Sequence, residues 1–151
     1  MGVIEVNGFR KSFDGTLVHK GVEFEVHQGE CLGLIGGSGV GKSVILRSLI
    51  GLEKPDAGEI YIEGDEISLL GERDLIQVRK KVAYVFQNGA LFDSMRVFDN
   101  LAYPLREHTS MNEKEIEQKI LNQLNDFGLV NAAHMMPSQL SGGMQKRVGL
   151  A

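Results

Sequence analysis

The sequence predicts an α/β fold, and three observations point to it. Val3 to Val6 and Val22 to Val26 alternate apolar and polar residues, as half-buried strands do. The run CLGLI, Cys31 to Ile35, is apolar on both faces, which fits a strand of a parallel sheet covered by helices. Asn112 to Phe127 places Ile116, Ile120, Leu121 and Leu124 on one helical face and leaves Glu, Lys, Gln and Asn elsewhere, the pattern of a surface helix.

In chain order, the first two strands read as antiparallel, punctuated by Gly15 and by the Gln28-Gly29 pair. CLGLI leads straight into a glycine-rich stretch, after which VILRSLIGL predicts a helix closing at Gly51. A PDAG turn precedes a short strand at Gly58 to Ile62, ERDLIQVRKK is a short amphipathic helix, and VAYVF, Val82 to Phe86, is a second fully apolar strand. Beyond Gln87 the character changes. Leu91, Phe92, Met95 and Phe98 fall in a loop-like stretch, the helix at 112–127 follows, and Ser141 opens a last helix. The order is β-β-β-α-β-α-β and then helices, with no internal repeat and no low-complexity tract.

Composition narrows the function classes. At 151 residues, with 42% apolar and 24% charged residues, the chain is long enough to bury a core and too apolar to be disordered. A net charge of -4, with Lys and Arg scattered among acids, argues against a nucleic-acid partner, because duplex binders carry a basic stripe. The single cysteine, Cys31, has no internal disulfide partner and suits a reducing compartment, which makes the cytoplasm the expected location. The start MGVIEVNG is neither a signal peptide nor an acylation site, since Val6 stands where the acylation motif needs Ser or Thr. No apolar run approaches the roughly 18 residues of a membrane span. Membrane contact is expected through a partner.

The strongest chemical signal is Gly36-Gly37-Ser38-Gly39-Val40-Gly41-Lys42-Ser43, which fits G-x-x-x-x-G-K-[ST] between a predicted strand and a predicted helix. Glycines let the backbone curl so that successive N–H groups converge on an anion, and the helix that follows adds its positive end. Lys42 can reach outer phosphates and the Ser43 hydroxyl can ligate Mg²⁺. A dinucleotide loop is the nearest alternative, but G-x-G-x-x-G counted from Gly37 would need a glycine where Lys42 stands. Gln87 closes the VAYVF strand, so its side chain would emerge at the carboxyl end of the sheet, where open α/β sheets bind ligands; the bland alternative is a hairpin turn at Asn88-Gly89. In LSGGMQKRVGLA, Ser141 is a good helix N-cap, and Met144 at the third position precludes a capping box. Such a start, with Gly142 and Gly143 shielding nothing, can either be a plain capped helix or receive a phosphate.

The GGSGVGKS loop, the strand-ending Gln87 and LSGGMQKR, in that order, resemble the ATP-binding cassette family, the nucleotide-binding subunits of ABC transporters. The resemblance covers nearly the whole chain. It implies a P-loop NTPase fold with an N-terminal antiparallel β part, a partial parallel core sheet and a helical subdomain. Residues 1–87 would be the nucleotide-binding core and 88–151 the Gln87 region, helical subdomain and signature motif. It implies that Phe13 stacks on adenine, although most relatives carry Tyr there, and that Gly36, Gly37, Ser38, Gly39, Val40, Gly41, Lys42 and Ser43 cradle the phosphates of ATP. Lys42 and Gln87 would be the catalytic contacts, Ser43 and Gln87 the Mg²⁺ contacts. Ser141, Gly142, Gly143 and Gln145 would cap the γ-phosphate held by a second cassette in a head-to-tail homodimer; Met144 stands where the family usually has Gln.

The family likeness also implies a transmembrane permease whose coupling helix docks near Leu91, Phe92, Met95 and Phe98. The wording ALFDSM through PLREH is most similar to the branch that moves phospholipids with Mce-type lipid-binding partners, also called toluene-tolerance ATPases. Family members continue past RVGLA into an apolar strand ending in Asp and Glu, and no run in residues 1–151 ends in that pair. The chain is therefore expected to be a fragment without that strand (the Walker B strand), able to bind ATP better than it cleaves it. His19, His27, His108 and His134 are expected to be ordinary surface residues. Two other classes compete: a soluble ABC-type ATPase acting on DNA or ribosomes, and a small-molecule kinase or GTPase. The second lacks N-K-x-D and leaves LSGG unexplained.

Overall fold

The structure, a computed structural model, describes residues 2–87 and 89–151; Met1 and Asn88, and with Asn88 the hairpin turn considered at Asn88-Gly89, lie outside the described residues. The chain divides into two compact units, the first ending at Tyr84 and the second running from Val85 to Ala151.

The first unit is built on a four-stranded antiparallel sheet in the order β2-β1-β3-β4, with β1 at Ile4–Phe13, β2 at Thr16–Val26, β3 at Ala57–Ile62 and β4 at Asp65–Glu66. Asp14 and Gly15 join β1 to β2 with φ of 48° and 78°, a two-residue turn of the kind whose twist matches a hairpin, and Phe13 pairs with Thr16 across it. Both long strands carry bulges. At Gly58, with φ of 93°, any Cβ would collide with the backbone of Gly8, so β3 approaches the irregular part of β1 more closely than a side chain allows. One face of the sheet supplies Val6, Phe9, Ile60 and Ile62 to a core closed by helix α1 (Lys42–Ser48, contributing Val44 and Ile45) and helix α2 (Glu72–Arg79, contributing Leu75 and Val78). As expected, α1 stops before Gly51, whose N–H donates to Ser48 O while Leu52 N–H donates to Arg47 O.

The parallel part of the sheet is where sequence and structure differ. Neither Cys31–Ile35 nor Val82–Phe86 carries a strand ladder among the described residues, and the sheet is antiparallel throughout. Leu34 and Val82 pack against the core, whereas Ile35 is 99% exposed and Leu32, Val85 and Phe86 are also exposed. An apolar run becomes a buried strand only when neighbours take up both of its edges and faces, and no described segment does so here.

The second unit is helical: α3 (Val97–His108), α4 (Glu113–Asp126) and α5 (Gly142–Leu150), with short 3₁₀ turns at Val130–Ala132 and Pro137–Gln139. Its core joins Val97 and Ala102 to Ile116, Ile120 and Leu124, and to Val148 of α5. α4 begins with a capping box: Asn112 Oδ1 accepts from Lys114 N and Glu115 N, and Glu115 Oε2 accepts from Asn112 N at 2.7 Å. The loop-like setting expected for Phe98 is in fact the first turn of α3. Pro104 inside that helix masks it in the sequence, because proline removes an internal hydrogen bond. No helix among the described residues is long and apolar enough to cross a membrane.

Candidate functional site

The glycine-rich loop curls tightly. Gly39 and Gly41 have φ of 79° and 92°, and the Lys42 ammonium donates to Gly36 O at 2.6 Å and to Gly37 O at 2.7 Å, drawing the start of the loop back over its end. Val40 leans on the same turn, since a Cβ on Gly36 would sit 3.0 Å from Val40 Cγ2. Gly41 O accepts from Val44 N at 2.8 Å and Ile45 N at 3.3 Å, which leaves the amides of Lys42 and Ser43 among the first-turn donors that a helix cannot satisfy itself. No acidic residue stands in that first turn. The loop therefore gathers an ammonium, a serine hydroxyl and backbone N–H groups with no carboxylate among them. That donor set fits a polyanion such as a triphosphate with its Mg²⁺.

His19 corrects an expectation. His27, His108 and His134 are exposed, but His19 is 5% exposed, lies edge-on to Phe9 with ring centroids 5.2 Å apart, and places Nε2 3.2 Å from Gly41 O. The alternation of Val22, Phe24 and Val26, continued backwards, points His19 outward. Gly21, at φ of 107°, is an extra residue in β2 between the pairs Phe9–Val22 and Arg10–Lys20, and this bulge reverses the facing of Lys20 and His19, up to the next register shift at Val18.

Phe13 ends β1 at 39% exposure, and Lys11 Nζ lies 5.5 Å from its ring centroid. The strand end is pinned beside it: Lys11 Nζ donates to Lys54 O at 2.7 Å, and Ser12 N donates to Asp56 Oδ2 at 2.6 Å. The Ser12 N–H, aided by Lys11, holds the Asp56 carboxyl below its ordinary value. Neither Lys11 nor Asp56 stands out in the sequence, because their pairing needs the β1–β3 register.

In the second unit Gln87 is exposed in a turn closed by Gly89 N donating to Phe86 O at 3.0 Å, so it does not follow a strand as expected. Asn100 is the organising residue that sequence reasoning missed. Its Oδ1 accepts from Phe92 N at 2.7 Å, and its amide donates to the carbonyls of Phe92, Met95 and Arg96 at 3.1–3.2 Å, so one side chain of α3 holds the preceding segment. Ser141 caps α5, its Oγ accepting from Met144 N at 3.3 Å, and beyond the neighbouring residues and the helix's own backbone no described atom lies within 4 Å of where a Cβ of Gly142 or Gly143 would stand. Gln145, by contrast, is turned back into its own unit, donating from Nε2 to Pro137 O at 2.9 Å, while Met144 packs against the helical core.

Residues 19–151 match the family profile described as ABC transporter. The chain belongs to the ABC transporter family. Among curated proteins this ABC cassette is 45% identical over 152 aligned positions to the "Probable ribonucleotide transport ATP-binding protein mkl" of Mycobacterium tuberculosis H37Rv, covering 100% of the chain and 42% of the relative. It is 40% identical over 149 residues to the intermembrane phospholipid transport system ATP-binding protein MlaF of Haemophilus influenzae, covering 99% of the chain and 56% of the relative. A dimeric structure of the ATP-binding cassette MJ0796, in a post-hydrolysis state bound to ADP and Pi, superposes with a TM-score of 0.90 at 29% identity, over 97% of this cassette and 67% of that chain. The cassette thus spans about half the length of the curated relatives it matches.

Proposed function

We propose that residues 1–151 are the ATP-binding part of an ABC transporter that couples ATP binding and hydrolysis to transport of phospholipid across a membrane. The observation that carries this reading is the curled loop at 36–43, with its cluster of positive and N–H donors, in a chain that belongs to the ABC transporter family. Within residues 1–87, Phe13 offers its exposed ring to adenine, the loop amides and Lys42 take the phosphates, and the Ser43 hydroxyl would ligate Mg²⁺. The metal would screen the charge of the outer phosphates. Residues 88–151 form the coupling half. Ser141, Gly142 and Gly143 present an open helix start to the nucleotide of a second cassette in a head-to-tail homodimer, and the inward-turned Gln145 braces it through Pro137.

A permease holds the cassette at the inner face of the cell membrane, against the exposed Phe92 and its surroundings, and an Mce-type lipid-binding protein completes the system. Phospholipid is favoured as cargo by the MlaF relatives of Haemophilus influenzae and Escherichia coli K12, at 40% and 43% identity. The name of the mkl relative favours a second reading, ribonucleotide transport.

Mg-ATP is expected to raise the unfolding midpoint of the chain, and Lys42→Ala to abolish that rise; an unchanged rise would remove the cradle assignment. With the permease reconstituted in vesicles, phospholipid rather than added ribonucleotide should stimulate turnover by the full-length protein. A pulldown that returns ribosomes in place of membrane subunits would favour the soluble ATPase reading instead.

A further inference from the structure

We infer that His19 is a positioning residue for phosphate binding: by donating from Nε2 to Gly41 O it fixes the peptide that carries the Lys42 amide. The inference rests on the nucleotide-cradle reading of residues 36–43. A carbonyl oxygen can only accept, so the 3.2 Å contact requires hydrogen on Nε2. The peptide between Gly41 and Lys42 is planar and trans, so its C=O and N–H point in opposite directions. Holding the carbonyl toward the imidazole therefore aims the Lys42 N–H away from the sheet, as a free donor of the loop. Val44 N and Ile45 N bind the same oxygen from the helix side, and His19 adds a restraint from the sheet side.

The restraint is stiff for three reasons. The imidazole is 5% exposed and wedged against Phe9, which is fully buried, so it has no water to turn to. A Cβ at Gly41 would overlap both the imidazole and Val18 Cγ1, so the loop is seated directly on β2. Gly41 itself, at φ of 92°, sits where glycine has the most freedom, which makes an outside restraint on its carbonyl effective. The motif positions specify which groups meet the phosphate; His19 specifies how one of the backbone groups is aimed before the phosphate arrives.

Three forms of the chain test this: wild type, His19→Gln, whose amide can still donate to a carbonyl, and His19→Leu, which fills the space without a donor. In the wild type, ¹⁵N resonances of the imidazole should show hydrogen on Nε2; a ring protonated at Nδ1 alone overturns the inference. By titration with Mg-ATP, His19→Leu should bind roughly tenfold more weakly, about what one hydrogen bond supplies, and His19→Gln within about threefold of wild type. The unfolding midpoints of the two variants without nucleotide should be alike, which a purely structural role would not produce together with split affinities. Equal affinity of His19→Leu and wild type, or equal weakness of both variants, overturns the inference. Should His19→Leu fail to fold, the wild-type tautomer and the affinity of His19→Gln decide it. A wild type that binds no Mg-ATP, or a Lys42→Ala variant that binds as well as wild type, overturns instead the cradle reading beneath it.

Discussion

The Lys42 ammonium and the Gly36 carbonyl are joined by a hydrogen bond of 2.6 Å, and the neighbouring Gly37 carbonyl accepts from the same ammonium at 2.7 Å. The positive charge of the loop is thus spent on the loop's own backbone, and a phosphate must take over those contacts. Because the loop is exposed, removing the ammonium with Lys42→Met should change nucleotide-free stability by no more than about 1 kcal/mol. The nucleotide-linked gain, about 2.7 kcal/mol at a hundredfold excess of ATP over Kd, should vanish. Urea unfolding of wild type and variant, each with and without Mg-ATP, separates the two effects. A variant that keeps the nucleotide-linked gain would show that Lys42 serves the loop and not the ligand.

Asp56 ties β3 to the strand end that carries Phe13, accepting from Ser12 N at 2.6 Å with Lys11 Nζ 3.4 Å from its other oxygen. These contacts hold its folded-state pKa below the ordinary 3.8. A depressed carboxyl pKa means stability that is fully present above the unfolded value and is lost as pH falls through the folded one. The stability difference between wild type and Asp56→Asn should therefore be constant above about pH 5 and close as the pH drops below about 4. Urea midpoints of both proteins across that range check it, and a difference that stays open in acid would contradict the assignment. Glu72 and Glu113 are also held low, by Arg79 and Arg106, but they are common to both proteins and cancel.

The elements legible in the sequence are those that report on their immediate neighbours: a glycine that ends a helix, a serine before glycines, an apolar spacing of three and four. Gly51 stops α1, Ser141 caps α5, and Ile116, Ile120 and Leu124 face the helical core as their spacing requires. What local pattern could not supply was register and partnership. One bulge at Gly21 turns His19 inward against the simple alternation, and Pro104 conceals a helix that tertiary packing of Val97 and Ala102 sustains. CLGLI and VAYVF read as strands by composition, yet composition does not provide the neighbouring strand that a ladder needs, and Ile35 stays in water.

Asn100 should be the most sensitive polar position of the second unit. Its side chain makes four hydrogen bonds, all to backbone groups of residues 92–96. Asn100→Ala should cost about 0.5–1.5 kcal/mol, the net worth of a typical hydrogen bond, since water can reach all but the Met95 contact. Asn100→Asp keeps the acceptor for Phe92 N but turns a carboxylate toward three carbonyls that need a donor, so it should be at least as damaging as alanine. Denaturation of both variants, with amide exchange at Phe92 as a local reporter, tests the order. An aspartate variant as stable as wild type would mean that the amide bonds contribute nothing.

Ser141 separates the two roles a helix start can play. Its Oγ caps α5 at 3.3 Å from Met144 N, a long bond at an exposed site, so Ser141→Ala should lose only about 0.5 kcal/mol, the low end for a cap. Ser141→Asp keeps an oxygen acceptor and adds a negative charge to a first turn that has none, which the helix dipole favours by about 0.3–1 kcal/mol. For the chain alone, aspartate should thus equal or exceed serine in thermal stability. For the head-to-tail dimer it should be the worse choice, because the same charge would face a partner's phosphates. Light scattering of the full-length protein with Mg-ATP should show dimers for wild type, fewer for alanine and none for aspartate. If the aspartate variant dimerises as well as wild type, Ser141 is a helix cap and nothing more.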